Sequence, residues 1–167
     1  MITRAITGVL AAMTMIVTGC GYSNVQLFPD NVQTVAVSIF ANKSFYRGTE
    51  FDLTEAIVKQ VELQTPYKVV PSDHAQTLLE GTIVSVDQQQ LSRRSTGGSP
   101  QELEMRIVVD FHWKDLRTGE LLRERKGFTR VGRYVPTSPM RESLEIAQHE
   151  AVGRLAQGVV SAMQDVW

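Results

Sequence analysis

The stretch LEMRIVVDFHW, Leu103 to Trp113, decides the fold class because it alternates apolar and polar side chains. Its apolar positions are Leu103, Met105, Ile107, Val109, Phe111 and Trp113. The intervening and flanking positions are polar (Glu102, Glu104, Arg106, Asp110, His112 and Lys114), with Val108 as the exception. A period of two residues is that of a β-strand with one buried face. We therefore predict a strand whose apolar side covers a hydrophobic core.

The segments around this strand are predicted to complete a sheet. Asp115–Gly119 (DLRTG) has the composition of a hairpin turn, and Glu120–Val131 is predicted to return as the partner strand, with a bulge at Gly127. Leu91–Pro100 is predicted as a polar loop. The other predicted strands are Val32–Phe40, Thr77–Val86 and the short segment Tyr67–Val70.

Two amphipathic helices are predicted beside the sheet. Glu50–Gln64 has apolar residues at helical spacing, and Thr49 with Asp52 matches a capping pattern at its start. The second helix is predicted to open at Ser138-Pro139 and to run to the terminus. Its apolar face holds Leu144, Ala147, Ala151, Leu155, Val159, Ala162 and Val166. The prediction is an α+β two-layer sandwich in one domain, 32–167, with a mainly antiparallel sheet of about four strands in the order β-α-β-β-β-α.

The first twenty residues have the composition of a bacterial lipoprotein signal. Arg4 precedes the uncharged, mostly apolar run Ala5–Val17, which is short for a membrane span of roughly 20 residues. Val17-Thr18-Gly19-Cys20 resembles the lipobox, in which the cysteine thiol receives diacylglycerol. We predict a signal peptide over 1–19, lipidation at Cys20 and a tether over 20–31. The alternative is a plain signal peptide or anchor helix with an incidental cysteine.

Composition excludes several classes of protein. A lone cysteine allows no intrachain disulfide, and 17 basic against 18 acidic residues argue against a nucleic-acid-binding protein. His74, His112 and His149 are far apart in sequence, and Asp73-His74 has no nucleophile motif to support it. We therefore expect no catalytic residue, metal or cofactor.

Basic residues are concentrated in two places, the loop before Leu103 and the last predicted strand. The candidates for binding an anionic ligand or an acidic partner are Arg93, Arg94, Arg123, Arg125, Lys126 and Arg130. If the loop and the last hairpin lie together, these residues form one basic edge. The alternative is that the charges only prevent edge-to-edge strand pairing.

Several stretches of the chain resemble the LptE family of lipopolysaccharide-assembly lipoproteins. They are Cys20-Gly21-Tyr22, Val35–Asn42, Leu53–Ile57 and Thr65-Pro66-Tyr67. The resemblance implies a lipoprotein on the periplasmic side of the outer membrane. It implies a plug and assembly partner for a β-barrel translocon (LptD-like) that contacts lipopolysaccharide through basic residues. Lipidation at Cys20 is carried over directly, whereas the basic residues have no position-by-position match.

A second function is also compatible with these features. Lipoproteins that regulate a cell-wall synthase or build a secretion pore can begin with a lipidated cysteine and a strand like Thr34–Phe40. A periplasmic regulatory or structural lipoprotein is therefore the alternative, and an enzyme partner instead of a barrel would distinguish it.

Overall fold

The computed structural model describes residues 31–93, 100–134 and 140–164, and the side chains of most of these. The predicted signal peptide, Cys20, Arg94 and the Ser138-Pro139 helix start lie outside them. In chain order the elements are β1 (Thr34–Val37), β2 (Ala41–Asn42), α1 (Thr49–Gln64), β3 (Lys68–Val69), β4 (Thr77–Arg93), β5 (Pro100–Asp115), β6 (Leu121–Tyr134) and α2 (Met140–Ala162).

The alternation in β5 corresponds to one buried face, as predicted. Met105, Ile107 and Val109 are fully buried, and Phe111 and Trp113 nearly so. Leu103 packs against the same core. Burying this row of side chains is the main apolar contribution of the sheet to stability, because hydrophobic stabilisation scales with the apolar area removed from water.

Both helices pack on this apolar face, which confirms the two-layer α+β arrangement. Leu53, Ile57 and Val61 of α1 are fully buried. So are Ala147, Ala151, Leu155 and Val159 of α2, whose predicted apolar face is thus confirmed over its described part. Helix α1 lies over β1, β2 and β3, α2 lies over β5 and β6, and the helices contact each other. Within the described residues, both helices lie on one side of the sheet, and we call the other side its open face.

The sheet is larger and more mixed than predicted. Its strand order is β3-β1-β4-β5-β6, with β2 also paired to β4. β1 runs parallel to β3 and β4, and β2 runs parallel to β4, while β4, β5 and β6 are antiparallel. The expectation of about four mainly antiparallel strands is therefore wrong in these details. The physical reason is that α1 is a crossover, and a strand–helix–strand connection returns the chain in its starting direction.

β1 is bonded on both sides although it is short. On one side, Lys68 and Val70 donate backbone bonds to the carbonyls of Gln33 and Val35, at 3.0 and 3.1 Å. On the other side, the Thr77 hydroxyl donates to Thr34 O at 3.0 Å, and Ser38 N donates to Leu79 O at 3.0 Å. The beginning of the domain is thus held inside the sheet instead of along its edge.

The start of α1 differs from the prediction. The N-cap is Gly48, with φ 94°, and no side chain caps the helix. Thr49 is instead fully buried in the first turn, where its hydroxyl accepts a bond from Gln148 Nε2 of α2 at 3.3 Å. Because glycine adopts positive φ without strain, Gly48 allows the chain to enter the helix sharply, and Thr49 joins the two helices.

The bounds of the loops and strands also differ from the predicted ones. The predicted loop Leu91–Pro100 is shorter, because β4 extends to Arg93 and β5 begins at Pro100. Gly127 has φ 63° and coincides with a register shift between Val109 and Phe111, which confirms the predicted bulge. The bulge lies beside Phe128, whose ring approaches Gly158 near the C-terminal end of α2.

Candidate functional site

Only four of the six basic candidates share an element. Arg123, Arg125, Lys126 and Arg130 lie on β6. Arg93 is the last residue of β4, where it pairs with Pro100. Arg94 is outside the described residues.

The two groups of basic residues lie at different levels of the sheet. Arg93 pairs with Pro100 at one end of β5, and Arg123 pairs with Trp113 near the other end. At about 3.3 Å per residue, these two levels are roughly 40 Å apart. Successive antiparallel hairpins turn at opposite ends of a sheet, so the end of β4 at Arg93 and the turn after Asp115 lie at opposite ends of β5. Among the described residues, Arg93 is therefore separate from the β6 cations, while Arg94 and the loop itself lie outside the described residues.

Arg123 is occupied by a structural contact. Its guanidinium donates a hydrogen bond to the carbonyl of Gln164, just beyond α2, at 3.2 Å. Carbonyls at a helix C-terminus have no partner within the helix and carry partial negative charge. Arg123 therefore joins β6 to the end of α2. Its guanidinium is less available to bind a ligand because it already bonds this carbonyl.

Arg130 is held over an aromatic ring. Its guanidinium carbon lies 4.3 Å from the ring centroid of Phe128, and Nη1 donates to the Thr129 carbonyl at 2.8 Å. Phe128 in turn contacts Phe111 edge-on, with ring centroids 5.5 Å apart. The cation–π contact fixes the direction of a side chain that stays exposed, so Arg130 is a pre-oriented cation at the surface.

Arg125 and Lys126 are the exposed cations beside the bulge. Lys126 Nζ lies 3.3 Å from Glu124 Oε1, with three quarters of the lysine side chain exposed. Both basic residues line a shallow groove of about 340 Å³ that crosses β4, β5 and β6. Exposed ion pairs of this kind are weak, so Lys126 can exchange its partner at little cost.

The open face of the sheet carries charges of both signs in paired rows. Glu80 on β4 accepts a bond from Lys114 Nζ at 2.5 Å and lies 2.8 Å from His112 Nε2. The Lys114 ammonium is the main cause that lowers the pKa of the Glu80 carboxyl. Further along, Glu104 is nearly buried between Arg106 at 3.2 Å and Arg133 at 3.6 Å. This face is polar and balanced in charge.

The turn after β5 is built around one carboxylate. Asp115 accepts bonds from the backbone and side chain of Arg117, at 2.7 Å to each of its oxygens. These bonds, the side-chain one first, lower the pKa of Asp115 to about 2. Arg117 also donates to the Asn31 carbonyl at 3.3 Å. The turn therefore lies where the predicted tether joins the domain.

The histidines show no shared site. His74 lies 3.6 Å from Asp73 in a pair that is mostly exposed, while His112 is on the open sheet face and His149 on α2. In residues 31–93, 100–134 and 140–164, no group of three or more His, Cys, Asp or Glu side chains is arranged to hold a metal.

One surface feature was not singled out from the sequence. In the loop between β2 and α1, Phe45 is 100% exposed although the residues around it are hydrogen-bonded. The available signal was the aromatic pair Phe45-Tyr46 within the otherwise polar run Asn42–Gly48.

Solved bacterial lipoproteins share the fold. Rare lipoprotein B from Shewanella oneidensis gives a TM-score of 0.53 at 19% identity, covering 77% of this chain and 92% of that one. A minor lipoprotein from Acinetobacter baumannii gives 0.51 at 15% identity, covering 79% and 94%. PelC from Paraburkholderia phytofirmans, described as a dodecamer, gives 0.53 at 16% identity, covering 83% and 93%. At these identities the likeness establishes the fold alone.

The fold and its polar open face define a small α+β domain of a type found in bacterial lipoproteins. The model of the family LptE, described as lipopolysaccharide-assembly, matches residues 32–163, which is most of the chain. The chain belongs to the LptE family, which confirms the resemblance, and it is an LptE-like lipoprotein of a family without enzymatic activity. No curated protein sequence matches it. Among the described residues, no helix is long and apolar enough to cross a membrane.

Proposed function

We propose that this protein is an outer-membrane lipoprotein of lipopolysaccharide assembly, lipidated at Cys20 and held on the periplasmic side. It acts there as plug and partner of an LptD-like β-barrel translocon. The observation that carries the proposal is the match of the LptE family to residues 32–163.

The open face of the sheet is the physical support for a plug. The lumen of a large membrane barrel is polar, so a domain inside it needs a rigid body with a surface of mixed charge. The ion-paired rows of β4, β5 and β6, such as Glu80 with Lys114 and Glu104 with Arg106, have this character. Paired charges also lower the cost of leaving bulk water, because an unpaired buried charge is expensive.

The basic residues of β6 are the proposed contacts to lipopolysaccharide. Arg125, Lys126 and Arg130 are exposed, and phosphates bind guanidinium and ammonium groups through charge-assisted hydrogen bonds. Arg123 is a weaker candidate for this contact, because its guanidinium already donates a hydrogen bond to the Gln164 carbonyl. Arg93, at the other end of the sheet, and its sequence neighbour Arg94 are proposed as a separate contact.

Co-purification tests the partnership. Affinity purification of the lipidated protein in a mild detergent should yield a stoichiometric β-barrel protein of much larger mass. Recovery of the lipoprotein alone, in repeated preparations from intact membranes, would refute the barrel partnership.

Charge reversal tests the lipid contact. We expect Arg125→Glu with Lys126→Glu to weaken binding of purified lipopolysaccharide by about fivefold or more, because attraction becomes repulsion. The matched control is Lys59→Glu with Lys68→Glu, which reverses two exposed charges on α1 and β3. If the two double variants bind lipopolysaccharide with equal affinity, β6 is not part of the binding surface.

The likeness to PelC favours a second candidate, a structural lipoprotein that assembles with itself, because that protein is described as a dodecamer. The solution mass of the domain from residue 31 onward distinguishes the two. A monomer supports the plug, and a stable ring supports the alternative.

A further inference from the structure

The β2–α1 loop, Lys43–Arg47, presents its side chains in two alternating sets. Lys43, Phe45 and Arg47 are exposed, and Phe45 has no cover at all, at 100% exposure. Ser44 and Tyr46 between them are partly buried, and Tyr46 packs against the core. The exposed set thus consists of one aromatic ring between two cations.

The backbone of this loop is fixed by side-chain hydrogen bonds. Asn42 Nδ2 donates to the Tyr46 carbonyl at 2.8 Å, and Asn42 Oδ1 accepts from Ser44 N at 2.8 Å. Asn42 Nδ2 also donates to Glu50 Oε2 at 2.6 Å, and the same oxygen accepts from Gly48 N at 3.0 Å. The backbone amide of Glu50 and the Asn42 side chain lower the pKa of the Glu50 carboxyl, so this network stays charged at neutral pH.

An ordered loop with an exposed aromatic side chain is well suited to binding. A large apolar side chain in water is unfavourable, and the loop is ordered without it because the bonds above involve other residues. A partner that covers Phe45 removes apolar area from water without the entropic cost of ordering the loop.

Further exposed apolar side chains adjoin the loop. Phe51, 59% exposed, is in the first turn of α1, where its amide bonds the Gly48 carbonyl at 3.0 Å. Val84, 40% exposed, follows Ile83, whose carbonyl accepts from Lys43 N at 3.0 Å. These exposed apolar residues come from a loop, a helix and a strand instead of from one amphipathic helix, which is the element that typically inserts into lipid, so we take the partner to be a protein.

The charges indicate the chemistry of the partner. Within residues 31–93, 100–134 and 140–164, neither Lys43 nor Arg47 forms an ion pair, whereas Lys59, Lys114 and Lys126 do. Arg47 also acts on the Glu50 carboxylate at longer range, as the weakest of the influences that lower its pKa, so both cations remain able to pair with carboxylates that rim an apolar pocket.

We propose that Phe45 enters such a carboxylate-rimmed apolar pocket on the barrel partner, with Lys43 and Arg47 pairing to its rim. This inference rests on the proposed function, since that function supplies the partner. It assigns the binding energy to a loop, separately from the polar sheet face that would fill the lumen and the β6 cations that would contact lipopolysaccharide.

The test uses the full lipidated protein purified with its barrel. Phe45→Ser should reduce the recovered barrel by about tenfold, as expected for a buried aromatic anchor. Lys43→Glu with Arg47→Glu should reduce it severalfold. The matched control is Leu63→Ser, because Leu63 is 78% exposed at the other end of α1 and should have no effect. The thermal midpoint of the purified domain should be unchanged in all three variants.

A photo-crosslinking amino acid in place of Phe45 gives a second measurement, which should join the protein to the barrel. If the wild type brings down no barrel, the proposed function and this inference fail together. If the wild type and Phe45→Ser bring it down equally, only the inference fails. Crosslinking to phospholipid, to lipopolysaccharide or to a second copy of the chain would also overturn it.

Discussion

Gly81 is a residue at which the sheet and the core pack too closely to admit a side chain. A Cβ at this position would meet the Phe40 ring and lie 2.6 Å from the Asp110 carbonyl. Phe40 is almost fully buried over β4, so the ring has little room to move. The glycine in the middle of a long strand is therefore required by the close approach of its neighbours.

We expect Gly81→Ala to destabilise the domain by about 1–3 kcal/mol through overpacking. Gly153→Ala is the matched control, because no atom lies within 4 Å of its added methyl group and it lies within α2. Alanine is favoured over glycine in a helix by about 1 kcal/mol, so this variant should be neutral or more stable. Urea unfolding measures both, and equal midpoints would contradict the argument.

The lowered pKa of Asp115 predicts how the stability of the domain depends on pH. Its pKa is lowered to about 2 from 3.8, so its contribution to folding is complete above about pH 4 and is lost as the pH falls towards 2. In Asp115→Asn this contribution should be absent at neutral pH, and the loss of stability between pH 4 and 2 should be shallower. Thermal midpoints measured across this window check the prediction. If the thermal midpoints of the variant and the wild type fall in parallel between pH 4 and 2, the prediction is wrong.

At the scale of elements, Arg123 illustrates a contact that sequence reasoning could not find. Read as a strand residue in a basic run, it looked like its neighbours Arg125 and Lys126. Its role depends on where α2 ends, about forty residues later, and only the packing of that helix on β6 places Gln164 within reach. Long-range contacts of this kind leave no periodic signal in the chain.

We expect Arg123→Gln to cost about 0.5–1.5 kcal/mol of stability, because the carbonyl at the end of α2 loses a charged partner. Arg125→Gln should have almost no effect, since its side chain is exposed. Denaturant unfolding of the pair checks this. If Arg125→Gln were the more damaging variant, the assigned roles would be reversed.

An element could be predicted from the sequence where its signal lies within one segment of the chain. The β5 face and the apolar faces of both helices were predicted residue by residue, since alternation and helical spacing are read within one segment. The parallel pairing of β1 with β3 and β4 was missed, because strand direction depends on the crossover through α1. The cap at Thr49 was wrong because the N-cap is one residue earlier, at Gly48, and the Thr49 hydroxyl instead accepts a bond from Gln148.

The same reasoning applies to the candidate site. Composition and charge identified the β6 cations but not their separation from Arg93, which is set by strand register. The exposure of Phe45 was also unpredictable, because the local sequence does not distinguish it from Tyr46, which packs against the core.

At the scale of the whole molecule, the proposed lipid anchor at Cys20 is the feature that would set the location of the protein. We expect the N-terminal peptide of the membrane-extracted protein to begin at Cys20 and to carry palmitate. Cys20→Ser should take up no labelled palmitate and should accumulate with residues 1–19 attached, because the thiol is the acceptor of the lipid. Mass spectrometry of the N-terminal peptide checks both. A processed, unlipidated wild type would refute the lipobox interpretation.

The double-sided bonding of β1 has a mechanical consequence. A domain tied to a membrane by its N-terminus receives any tension at Asn31, directly before β1. Because β1 lies between two strands that run parallel to it, a pull along its axis loads the hydrogen bonds on both sides together, in shear. An edge strand pulled perpendicular to its axis would instead lose its hydrogen bonds one after another. If the proposed anchor at Cys20 is present, tension from the membrane would therefore leave the sheet closed.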